Sequence, residues 1–102
     1  MESLTENNYQ HKIAKGKVAV KFWASWCGPC KMLAPIYEDL SKDMKDIHFT
    51  EANIDETGDV PSDAAVRGVP TIVLFNNGEE VARVVGFVTK DALKRKIEDA
   101  YE

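Results

Sequence analysis

Apolar positions along the chain fall into two rhythms. Over Lys17–Trp23 they are nearly continuous (Val18, Ala19, Val20, Phe22, Trp23), the pattern of a strand covered on both faces. From Pro29 to about Met44 they recur at helical spacing as Leu33, Ile36, Tyr37, Leu40 and Met44, which predicts a helix that Pro35 bends from inside. Ile47 to Asp55 reads as a second strand, and Val60–Val66 as a short helix capped by Asp59. Thr71 to Gly86 holds two β-rich runs around Asn76-Asn77-Gly78, residues that accept positive φ, which predicts an antiparallel hairpin. Thr89 then caps a last helix with Leu93, Ile97, Ala100 and Tyr101 on one face, and Asp91 near its positive end. At the start, Met1–Thr5 makes at most a short edge strand. Thr5 caps a first helix through about Ala14, with Tyr9 and Ile13 inward and Gly16 ending it.

The order (β)αβαβαβ-βα implies right-handed crossovers, a central parallel pair and an added antiparallel hairpin. Residues 1–102 thus read as one α/β domain with helices on both faces of a mixed sheet. Val18–Trp23 and Ile47–Ile54 belong in its middle, and there Lys21 is a contradiction. An unpaired ammonium in such a strand costs several kcal/mol or is forced to neutralise.

Composition narrows the function. With 44% apolar and 29% charged residues the chain is an ordinary globular one, and its net charge of −4 favours neither nucleic acid nor anionic membrane. The cluster Lys94-Arg95-Lys96 reads as a solvated helix face. The start lacks the basic and apolar parts of a secretory signal, and no apolar run reaches membrane-spanning length, so the expected compartment is the cytoplasm.

The two cysteines carry the chemistry. Cys27-Gly28-Pro29-Cys30 lies where the buried strand ends and a helix begins. The thiolate is the nucleophile, and unpaired amides with the helix dipole lower a thiol pKa at that place. Two intervening residues let both sulfurs reach bonding distance, while Pro29 pre-sets φ in the first turn. A zinc site would need two more ligands, and only His11 and His48 exist, without metal-site spacing. A structural disulfide closing so short a loop would stabilise weakly, and inert buried cysteines are a third alternative. Redox chemistry is the preferred reading.

The strings FWASWCGPCKMLAPIYEDL, NID, RGVPTIVLFNNGE and VVGFVTKDAL resemble the thioredoxin family, in order and spacing, from about Val18 to the C-terminus. The first sixteen residues match only loosely. The resemblance implies the thioredoxin fold and a general protein-disulfide reductase, with Cys27 as the exposed attacking thiol and Cys30 as the buried resolving one. Val69-Pro70 resembles the family's cis-proline loop, although base rates alone favour trans. That loop would turn the backbone of Val69 outward for pairing with a substrate strand. Trp26, Gly28 and Pro29, together with Val69, Pro70, Gly86 and Phe87, would form the rim on which targets dock, while Trp23 reads as core. No bound cofactor or metal is implied. Electrons would come indirectly from NADPH through a thioredoxin reductase-like enzyme, and the protein would be a monomer. The alternative of another class is a docking or assembly subunit that uses the same surface without catalysis.

The chain departs from the family at one point. Thioredoxins usually carry a buried aspartate in the first of these strands and a lysine in the next, whereas here Lys21 and Glu51 stand in the two places. The residues alone lead to the same pair, because Glu51 is the only acidic residue within the neighbouring strand IHFTEANI. A buried Lys21–Glu51 pair beneath Cys30 is therefore expected, either to accept the Cys30 proton on Glu51 or to lower the thiol pKa through Lys21. A purely structural pair is the competing expectation.

Overall fold

The computed structural model describes residues 1–102. In chain order the elements are β1 (Glu2–Ser3), α1 (Tyr9–Ile13), β2 (Lys17–Trp23), α2 (Gly28–Asp43), β3 (His48–Asn53), α3 (Val60–Asp63), β4 (Thr71–Asn76), β5 (Glu79–Val85) and α4 (Lys90–Ala100). They form one mixed sheet of order β1-β3-β2-β4-β5. β3 is parallel to both β1 and β2, while β4 is antiparallel to β2 and β5. β2 is thus the central strand, bonded along both edges. This is the thioredoxin fold.

The two-residue period of β2 divides the core. Val18, Val20 and Phe22 point to one face, where Tyr9 and Ile13 of α1 and Val60 of α3 cover them. Ala19 points to the other, beneath Leu33, Tyr37 and Leu40 of α2 and Leu93 and Ile97 of α4. Lys21 shares that second face by parity. No helix is long and apolar enough to cross a membrane.

Element ends differ from the expected ones where side chains compete for backbone groups. Thr5 caps the turn that leads into α1. Its Oγ1 accepts the Asn8 N–H at 3.2 Å while Asn8 Oδ1 accepts the Thr5 N–H at 2.8 Å, and the helix proper follows from Tyr9. Asp59 caps nothing with its side chain, and α3 stops at Asp63 instead of Val66. Ala65 takes φ +57° and reverses the chain. The Arg83 guanidinium then donates to the carbonyls of Ala64 (2.8 Å) and Ala65 (3.1 Å). Thr89 does cap α4, accepting the Ala92 N–H at 3.3 Å. The hairpin turns on Asn77 and Gly78, at φ +52° and +86°, the positive values a two-residue loop needs.

Candidate active site

β2 carries the chain out of the sheet centre, and Cys27 ends it as the N-cap of α2. Its extended backbone (φ −94°, ψ 110°) turns the sulfur back over the first helical turn, where Sγ accepts the Cys30 N–H at 3.2 Å. Pro29 fills the position where no amide donor is needed. Cys27 and Cys30 are joined as a disulfide, with their Cα atoms 5.3 Å apart.

The opposing loop completes the surface. Val69–Pro70 is cis, and the Val69 carbonyl oxygen lies 3.6 Å from Cys27 Sγ. Gly86, at φ +87°, donates its N–H to the Pro70 carbonyl at 2.8 Å. Phe87 and Trp26 stand out at 41% and 66% exposure. A Cβ added at Gly28 or Gly86 would meet nothing within 4 Å, so the surface beside them is open. Trp26 is pinned by its indole N–H, which donates to Asp55 Oδ2 at 2.9 Å.

Two expectations need correction. Cys27, expected to be exposed, is only 5% accessible, against 3% for Cys30. The Cys27 sulfur lies against Val69, in a small apolar cluster with Ala24 and Cys30. Exposure therefore does not separate the two sulfurs. Trp23, expected in the core, is half-buried against the same cluster, and its buried indole N–H finds no acceptor.

Lys21 and Glu51 are register partners on β2 and β3. Lys21 Nζ lies 3.5 Å from Glu51 Oε1, with side-chain exposures of 6% and 20%. The ammonium also sits 5.2 Å from the centre of the Tyr37 ring, a cation–π contact. Tyr37 donates its hydroxyl to the Thr50 carbonyl at 2.7 Å. Burial first, and the Glu51 charge second, hold that phenol well above its ordinary value of 10. Glu51 is also tied to β1, since Ser3 Oγ donates to Oε2 at 3.4 Å and the Leu4 N–H donates to its carbonyl at 2.8 Å. A cavity of about 310 Å³ touches Lys21, Glu51, Cys30, Trp23, Ala34 and Lys31 together. The largest hollow, about 660 Å³, lies among Lys15, Lys17, Lys45 and His48 at the other ends of β2 and α2 and holds none of these residues.

Sequence reasoning missed three participants. Asp55 orients Trp26, and its only signal was the final letter of NID. Tyr37 was legible as a core residue but not as the ring over Lys21. Ser3 gave no signal, because its meeting with Glu51 depends on β1 pairing 48 residues away.

A cysteine pair bonded across the first turn of a helix, on this sheet and facing a proline loop, defines a dithiol–disulfide oxidoreductase. The Thioredoxin family model matches residues 1–99, so the loosely resembling N-terminal segment belongs to the match as well. The thioredoxin of Chlamydia pneumoniae is 42% identical over 94 residues, covering 92% of each chain. Thioredoxin-1 of Saccharomyces cerevisiae is 46% identical over 83 residues, 80% of this chain and 81% of its own. A solved chain from work on the thiol resolving mechanism in yeast mitochondrial 1-Cys peroxiredoxin superimposes with a TM-score of 0.90. It is 30% identical, and the match covers 97% of this chain and 94% of that one. The chain belongs to the thioredoxin family. It is a protein-disulfide oxidoreductase working by thiol–disulfide exchange, and the family requires no cofactor beyond the redox-active disulfide. A docking subunit without catalysis finds no support among these relatives.

Proposed function

We propose that the chain, acting as a single domain over 1–102, is a general protein-disulfide reductase in which Cys27 attacks, Cys30 resolves and Glu51 takes the Cys30 proton. The observation that carries this reading is the cavity shared by Cys30, Lys21 and Glu51. The Cys27 thiolate attacks one sulfur of a target disulfide, forms a mixed disulfide and expels the other target sulfur as thiolate. Cys30 then gives its proton through cavity water to the Glu51 carboxylate, attacks Cys27 Sγ, and releases the second target thiolate. Two electrons pass to the target, and the Cys27–Cys30 bond takes the place of the one broken. Lys21 favours negative charge on the sulfur above it.

The rim of Trp26, Gly28, Pro29, Val69, Pro70, Gly86 and Phe87 receives the target, which adds to Val69 as an extended strand. Recycling falls to a thioredoxin reductase-like enzyme fed by NADPH. Such a role fits a monomer in a reducing compartment, which we take to be the cytoplasm. Stopped-flow reduction of a protein disulfide tests the proton step. Glu51→Gln should slow resolution by about 10²-fold near neutral pH, while alkylation of Cys27 keeps its rate. A wild-type rate of resolution from about pH 6 to 9 would remove Glu51 from the mechanism.

A further inference from the structure

Two buried hydrogen-bond donors, on residues that line the cavity beside Cys30, are not fully used in the oxidised protein. Trp23 packs against the cysteine cluster, and its Nε1–H is the one buried side-chain polar atom without a partner. Lys21, with its side chain 94% removed from solvent, has three N–H groups and a single anionic neighbour, Glu51 Oε1 at 3.5 Å. Both residues line the cavity that Cys30 lines. An orphaned buried donor costs about 1–3 kcal/mol, and such groups often carry a redox or catalytic role. A disulfide sulfur offers a donor little, whereas a thiolate is a full anion and a strong acceptor.

We infer that Trp23 and Lys21 form a preorganised anion hole for the Cys30 sulfur, filled only when Cys30 becomes a thiolate. The disulfide state leaves the indole N–H idle. Once the S–S bond is broken and the Cys30 proton has passed to Glu51, the sulfur carries the charge and takes the indole N–H and an ammonium N–H as donors. The bond is lost again when that sulfur attacks Cys27. Donors set in place beforehand act where charge develops, without reorganising at the moment of reaction. Trp23 thus becomes a specific contributor to the resolving step, a role that its packing alone does not give. The other charged residues lining this cavity are Glu51 on β3 and Lys31 on α2. Asp55 is engaged by Trp26 instead.

This inference rests on Cys30 being the resolving thiol, and the experiment separates the two. Protein with ¹⁵N-labelled indoles is followed by NMR in the oxidised and reduced states from about pH 6 to 10. The Trp23 Nε1–H resonance should move downfield on reduction as Cys30 ionises, while the Trp26 resonance, held by Asp55, stays close to its oxidised position. Cys30→Ser should abolish the Trp23 movement and, separately, make the mixed disulfide with a target accumulate. Trp23→Phe, which keeps an aromatic ring and deletes the N–H, should slow resolution about tenfold with Cys27 alkylation unchanged. An unmoved Trp23 resonance overturns the anion hole, even where Cys30→Ser traps the intermediate. Failure to trap it overturns the underlying assignment of Cys30. Should Trp23→Phe fold poorly, the wild-type resonance and its Cys30→Ser control decide the matter alone.

Discussion

Deleting either member of the Lys21–Glu51 pair should destabilise the protein, and the two deletions should be unequal. Glu51→Leu strands an ammonium whose side chain is 6% exposed. Its remaining neighbour is the face of Tyr37, and an uncompensated buried charge of this kind costs about 3–5 kcal/mol. Lys21→Met strands a carboxylate that is 20% exposed and still holds the Ser3 hydroxyl, so water and one donor remain and the loss is about 1–3 kcal/mol. Making both changes removes both charges and leaves apolar groups of similar size, which should return stability to within about 1 kcal/mol of wild type. The measurement is urea unfolding of the oxidised protein near pH 7. With a slope of about 1–1.5 kcal/mol/M for a domain of this size, Glu51→Leu should lower the midpoint by about 2–5 M. Losses below about 1 kcal/mol in both single variants would place the pair effectively in water. Equal losses would refute the argument from unequal burial, and an additive double variant would show that the two charges do not interact.

Three further outcomes follow from the geometry. Burial pushes the Tyr9 and Tyr101 phenols up to about 12, so between about pH 10 and 12 the unfolded chain has lost protons that the folded one keeps. Stability should be complete below pH 10 on this account and fall as pH rises through that window, less steeply in Tyr101→Phe; a flat alkaline limb would contradict it. Glu2 is held below its ordinary value of 4.5 chiefly by its bond to Lys12, and Glu80 chiefly by its bond to Arg83. The stability they add is present above pH 4.5 and lost as pH falls below it, and Glu2→Gln with Glu80→Gln should flatten the acid limb of the unfolding midpoint. Asp55→Ala releases the Trp26 indole, so KM for a protein disulfide should rise several-fold while reduction of the active disulfide by dithiothreitol is unchanged; equal changes in both assays would mean that Asp55 acts on the sulfurs themselves.

The sheet was legible because its signals are local and redundant. β2 follows from an apolar run, the hairpin from Asn77-Gly78, and α2 from five apolar residues at helical spacing. The C-x-x-C spacing at a strand-to-helix junction pointed to the chemistry, and the need of Lys21 for an anion pointed to Glu51. What stayed hidden depends on contacts distant in sequence. α3 ends early because Ala65 takes φ +57° and its N–H and that of Val66 turn back to the carbonyls of Ser62 and Pro61, while Arg83, 18 and 19 residues onward, takes the freed carbonyls of Ala65 and Ala64. The exposure of Cys27 was misread because a side chain's accessibility is set by whatever the fold lays over it, here Val69. Ser3 reaches Glu51 only through strand pairing, which no pattern in the first four residues announces.

In the proposed mechanism Cys27 is both nucleophile and helix cap, since the sulfur that would attack a target is the atom that accepts the Cys30 amide at the start of α2. A thiolate is a strong cap that also satisfies the helix dipole, whereas a disulfide sulfur is a weak one that compensates with a covalent tie. Each turnover therefore changes how the first turn of a sixteen-residue helix is held. The amides of α2 can therefore report the oxidation state to an observer who never touches the sulfurs.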